Sequence, residues 1–103
     1  DYQKLVSSIA EFHCKEYYCC EPLSAKLVCY YPIPKSMPKY KRKLVEEGKL
    51  YPVVKPDLDN VAKAILDAMN DIVYKDDNQI VELNVTKLYS DNPRVEISIE
   101  VVE

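Results

Sequence analysis

The chain has 103 residues, 48% of them hydrophobic, which suits one domain with one core of modest size. Its formal net charge of −3 argues, as a sum, against a nucleic-acid binder, whose affinity comes mainly from Lys and Arg. A single glycine excludes a Gly-rich phosphate cradle, and a lone histidine leaves a Ser-His-Asp hydrolase only His13 to build on. No apolar run of membrane-spanning length and no basic-then-apolar leader is present, so a cytoplasmic protein without a membrane segment is expected.

Apolar residues Leu5, Ile9, Phe12 and Tyr17 recur at three-to-five-residue intervals, which predicts an amphipathic helix from Tyr2 to about Cys20. The chain starts at Asp1 within this pattern and without a Met, so some native N-terminal residues are expected to be missing. Pro22 ends the pattern, and Ala25 to Tyr31 is β-branched and aromatic enough for a strand that stops before Pro32.

Residues 32–38 carry three prolines and form a connector. Lys39 to Glu47 then predicts a short basic helix closed by Gly48 as a left-handed C-cap. Seven of the fourteen basic residues fall between Lys35 and Lys55, so the charge is locally strongly positive despite the acidic total. Pro52 and Pro56 keep residues 49–56 extended.

Val61, Ala64, Ile65, Ala68 and Met69 then mark one face of a helix, with Asp59 or Asn60 expected as its N-cap. A short apolar piece, Ile72-Val73-Tyr74, leads to a polar turn at Lys75 to Asn78. Alternation over Gln79 to Tyr89, and again from Val95 to Val101, predicts two strands joined as an antiparallel hairpin. The expected class is α+β, with a small mixed or mostly antiparallel sheet covered on one face by helices. Strand order is left open.

The four cysteines, Cys14, Cys19, Cys20 and Cys29, include an adjacent pair that suits neither a disulfide framework nor a CxxC zinc site. Reduced thiols are expected, and His13 beside Cys14 lacks the spacing of a ligand pair.

The chemistry gathers in two places. In Lys55-Pro56-Asp57-Leu58-Asp59-Asn60, an extended backbone would put Asp57 and Asp59 on one side, with Leu58 turned into the core, just before a helix start. One Asp there is an ordinary cap. A second brings repulsion that a cation would relieve, and Mg²⁺ is the usual partner of hard carboxylate oxygens. Asp76-Asp77-Asn78-Gln79 is either a solvated turn or the source of a third carboxylate at the mouth of a strand. Lys63, one turn beyond Asp59, is either a surface lysine paired with Asp59 or Asp67, or an ammonium placed to meet a phosphate.

The stretch KPDLDNVAKAILDAMNDIVYKDDNQIVELNVTKLY, Lys55 to Tyr89, closely resembles the RusA family of Holliday-junction resolvases. The matching parts are K-P-D-x-D-N, a lysine-bearing helix that ends in D-A and a hydrophobic residue, and D-D-x-Q-I before a strand. The resemblance implies a homodimeric, Mg²⁺-dependent endonuclease that nicks four-way DNA junctions symmetrically, as phages and prophages commonly encode. Carried over by position, it makes Asp57, Asp59 and Asp77 the metal-holding and catalytic aspartates and Lys63 the essential helix lysine. Lys55, Lys35, Lys39, Lys41, Arg42 and Lys43 become candidate DNA-phosphate contacts. Family members usually open with a strand and a basic segment that this sequence does not show, so a single RusA-like domain without that N-terminal strand is expected. Two alternatives stand beside this reading. One is a catalytically inactive junction-binding dimer with a structural metal site; the other is a Mg²⁺-dependent phosphatase or nucleotide hydrolase, which the basic stretch disfavours.

Overall fold

Strand β1, Leu23–Pro32, organises the molecule, because every second side chain along its length is apolar and small or branched enough to pack against a helix. Leu23, Ala25, Leu27, Cys29 and Tyr31 are all buried on one face. The computed structural model describes residues 17–103. Most of the helix expected over Tyr2 to Cys20 therefore lies outside the described residues. Its last part, from Tyr17, is not helical: Tyr18 forms a parallel bridge with Tyr74, donating its N–H to the Val73 carbonyl and accepting from the Lys75 N–H, both at 3.0 Å.

After the Pro-rich connector, α1 runs Lys39–Glu46 and buries none of its residues. It ends as the glycine predicts. Gly48 adopts φ 72°, its N–H reaches the Val45 carbonyl at 3.0 Å, and the Lys49 N–H reaches Leu44 at 2.8 Å. These are the two hydrogen bonds of a Schellman closure.

Helix α2, Leu58–Met69, is the long helix expected, and it lays Val61, Ala62, Ile65 and Met69 into the core. Its N-cap is Asp57, one turn's edge earlier than the Asp59 or Asn60 expected. Val73 and Tyr74 extend the same core, and the Tyr74 hydroxyl donates to the Leu66 carbonyl at 2.6 Å. A short 3₁₀ turn, Asp77–Gln79, opens β2, Ile80–Ser90, and β3 follows at Arg94–Val101.

The sheet is mixed, in the order β2-β1-β3. This overturns the expected hairpin of the last two strands. β1 pairs parallel with β2, from Leu23 opposite Ile80 to Pro32 opposite Ser90, and antiparallel with β3, from Leu23 opposite Val101 to Tyr30 opposite Arg94. The connection through Asp91, Asn92 and Pro93 crosses the end of β1 instead of turning back beside β2. Three linking residues can span the roughly 10 Å across a strand, so their small number does not itself force a hairpin. β1 takes the centre because it offers the most continuous buried face. On β2, Val81, Glu82, Leu83 and Asn84 are exposed, and on β3 only Val95, Ile97 and Ile99 contribute, partly buried. The architecture is the α+β class expected: a three-stranded mixed sheet with α2 packed on one face. Among the described residues, no helix is long and apolar enough to cross a membrane.

Candidate active site

With its Val61-Ile65-Met69 face turned to the sheet, α2 leaves Asn60, Lys63, Ala64 and Asp67 along the opposite side, at the spacing of one helical stripe. These four residues, with Lys55, Pro56 and Asp57 from the entering chain, line a cleft of about 640 Å³. Asp57 is free for chemistry: as N-cap it gives its main-chain carbonyl to the Val61 N–H at 3.0 Å, while its side chain makes no capping hydrogen bond.

The local geometry of the DLD segment differs from the extended one expected. The helix already includes Leu58 and Asp59, so the two aspartates are related by helical rotation and not by strand alternation. Asp57 faces the cleft; Asp59, exposed in the first turn, is not among its walls, and Leu58, expected in the core, is half-buried and is not among the residues packed against the core. Lys63 is exposed on the cleft wall and forms no ion pair with any described residue, which sets aside the pairing with Asp59 or Asp67.

The second acidic group is built from the turn before β2. Asp76 is occupied structurally, since its Oδ1 accepts the Asn78 N–H at 2.9 Å and caps the 3₁₀ turn. Gln79 holds the turn in place. Its Oε1 accepts the N–H groups of Lys75 and Asp76 at 3.1 and 3.0 Å, and its Nε2 donates to the carbonyls of Tyr18 and Glu21 at 3.2 and 3.1 Å. Asp77 is thus left as the aspartate of the pair without a capping duty. Its pKa is raised, first by a hydrogen bond with Asp76, then by partial desolvation, and further by the charge and hydrogen bonding of Asp67. Three carboxylates crowd one another there.

Asp67 therefore belongs to both groups: it forms one end of the cleft and stands against Asp77. The sequence reading treated it only as a possible partner of Lys63. The stripe from Asn60 through Lys63 and Ala64 to Asp67 was readable from helical spacing and is the signal that would have found it.

The same helix keeps the two ends apart. Ten residues separate Asp57 from Asp67, roughly 15 Å along the axis of a helix rising 1.5 Å per residue. Asp57, Asp59 and Asp77 do not converge on one point, and among the described residues no group of three His, Cys, Asp or Glu side chains is arranged to hold a metal ion. A single ion bound by all three aspartates does not fit these positions. Smaller donor sets do fit the chemistry of Mg²⁺, which commonly takes one or two carboxylates and completes its shell with water and phosphate oxygens. Asp67 with Asp77, two carboxylates from separate elements that act on each other, is such a set.

The candidate DNA contacts occupy two places. Lys55 is exposed at the mouth of the cleft. Lys35 lies on the connector, and Lys39, Lys41, Arg42 and Lys43 lie on α1, where all but the half-buried Arg42 are exposed. Among the described residues, Cys19, Cys20 and Cys29 are free thiols, and burial raises the pKa of Cys29; Cys14 and His13 lie outside the described residues.

A cleft lined by two aspartates and two lysines, entered through a K-P-D-L-D-N segment, is the kind of site a phosphodiesterase presents. The comparison with known families agrees: residues 1–100 match the family described as Endodeoxyribonuclease RusA, and the chain belongs to that family. It is also 42% identical over 103 residues to a Bacillus subtilis (strain 168) protein named "Uncharacterized protein YqaN", an alignment that covers 98% of this chain and 72% of the other.

Proposed function

We propose that this chain is a Mg²⁺-dependent endonuclease that resolves four-way DNA junctions by symmetric phosphodiester hydrolysis, acting as a homodimer. Membership of the endodeoxyribonuclease family supports DNA as the substrate. The single observation that carries the chemistry is the cleft in which Asp57, Lys63 and Asp67 share one exposed side of α2, with Lys55 at its mouth.

Asp57 with Asp59 at one end, and Asp67 with Asp77 at the other, are the residues that would hold Mg²⁺. Bound there, the ion supplies positive charge against the phosphate and lowers the barrier to hydrolysis. Lys63, unpaired with any described residue, is available to neutralise charge that builds on the phosphate oxygens in the transition state. Lys55 binds the backbone of the strand as it enters, and Lys35, Lys39, Lys41, Arg42 and Lys43 hold the neighbouring duplex by phosphate contacts.

A synthetic four-way junction incubated with the protein and Mg²⁺ tests the reading. Paired nicks at symmetry-related positions are expected from the wild type, and junction binding without nicks from Asp57→Asn. Undiminished cutting by Asp57→Asn would remove Asp57 from the chemistry. A second reading, a junction-binding dimer that does not cut, draws on the separation of Asp57 from Asp77, and wild-type binding without nicks would favour it.

A further inference from the structure

The segment that carries Lys55 and Asp57 to the cleft has little to fix it. Tyr51, Val53 and Val54 are exposed, Val53 at 91%, and only Pro52 is buried. Among the described residues, residues 50–56 make no backbone-to-backbone hydrogen bond. Two side chains from the sheet supply what the backbone does not. The Tyr31 hydroxyl donates to the Pro56 carbonyl at 2.6 Å, and the Lys87 ammonium donates to the Val54 carbonyl at 2.6 Å. The two are themselves coupled, with Lys87 Nζ 5.1 Å from the centre of the Tyr31 ring.

We propose that Tyr31 and Lys87 are positioning residues of the cleft, holding the carbonyls on either side of Lys55 so that Lys55 and Asp57 stand where a phosphate can meet them. The proposal rests on the cleft being the site of cleavage. Sequence neighbours show why the pair can do this. Tyr31 is buried at the end of the central strand, a fixed point, and Lys87 lies two positions short of Tyr89, which pairs with Tyr31 on the neighbouring strand. The two anchored carbonyls bracket Lys55, and the second belongs to the residue just before Asp57. The phenol remains a donor throughout the working range, since burial, followed by the charges of Cys29 and Asp57, pushes its pKa up to about 12.

The test compares the wild type with Tyr31→Phe, which keeps the ring, Lys87→Met, which keeps most of the stem, and Lys87→Arg, which keeps a cationic donor. Backbone ¹⁵N order parameters at Val54, Lys55 and Asp57 are measured without metal, and kcat and KM for junction cleavage with Mg²⁺. Tyr31→Phe and Lys87→Met are expected to lower the order parameters at these residues while β1 and α2 keep wild-type values. They are also expected to lower kcat by on the order of tenfold to a hundredfold with KM little changed, as small misplacements of reacting groups do. Lys87→Arg should restore most of the rate. Wild-type order parameters in both variants overturn the proposal, and so do lowered order parameters with an unchanged kcat. A wild type that cuts no junction overturns the reading of the cleft as a nuclease site, while the order parameters still decide whether the two side chains hold the segment.

Discussion

Asp67, in the last turns of α2, stands close enough to Asp77, across the turn that opens β2, for its negative charge to help raise the Asp77 pKa, so two carboxylates from separate elements act on each other. Asp76 adds a third negative charge beside them.

Asp77 sets a pH dependence. Its folded pKa is raised, so the folded chain keeps this proton to higher pH than the unfolded chain does. The stabilising contribution is present below the ordinary carboxylate pKa and is lost as pH rises through the raised value. Without divalent cations, Asp77→Asn should therefore melt above the wild type at neutral pH, with the gap closing as pH falls below the carboxylate range. Mg²⁺ should raise the wild-type melting temperature and narrow the gap; a hundredfold excess over Kd corresponds to about 2.7 kcal/mol. Thermal unfolding at several pH values, with and without Mg²⁺, checks both parts.

Lys63→Met should leave the fold and junction binding nearly unchanged, since Lys63 is exposed and has no ion-pair partner among the described residues. Cleavage should fall by roughly two to three orders of magnitude, the usual loss when a group that stabilises transition-state charge is removed. Binding measured by mobility shift and single-turnover cleavage separate the two effects.

Gln79→Glu exchanges one NH2 group, which donates to both the Tyr18 and Glu21 carbonyls, for a single oxygen that would face them. Unsatisfied acceptors and a nearby negative charge should cost about 2–3 kcal/mol, read from urea unfolding. Because Gln79 also holds the backbone at Lys75 and Asp76, cleavage should fall together with stability.

Gly48→Ala probes the end of α1. Nothing lies within 4 Å of where its Cβ would stand, so the cost comes from the left-handed backbone alone. It should amount to about 1 kcal/mol in chemical denaturation. Cleavage by the folded fraction should be unchanged.

What could be read from the residues follows a physical divide. Val61, Ile65 and Met69 announced α2 because helical period is a local property, and the left-handed Gly48 was legible because only glycine takes that conformation without cost. Alternation along residues 80–101 gave two strands but not their partner. Period two shows that a strand has a buried face, whereas pairing depends on β1, which lies far back in the chain. The site divides the same way. Asp57 and Lys63 were found from a contiguous motif and do share a cleft, yet the extended backbone expected through Asp59 is replaced by helix, which begins one residue after Asp57, and Asp59 does not line that cleft. Asp67 escaped notice because its significance lies in Asp77, across a turn. Tyr31 and Lys87 carry no local pattern that distinguishes them from ordinary strand residues, since their hydrogen bonds reach residues more than twenty positions away.

The central place of β1 has a consequence for how the chain is made. Both of its ladders join it to residues more than fifty positions later. A growing chain therefore exposes a strand of alternating leucine, alanine, cysteine and tyrosine well before either neighbour has left the ribosome. Loop-closure entropy must be overcome before either pairing gains anything, so folding should be slow for a domain of this size. In that interval the strand's two bare edges are open to other nascent chains, and high-level expression should test the cell's chaperones before it tests the finished fold.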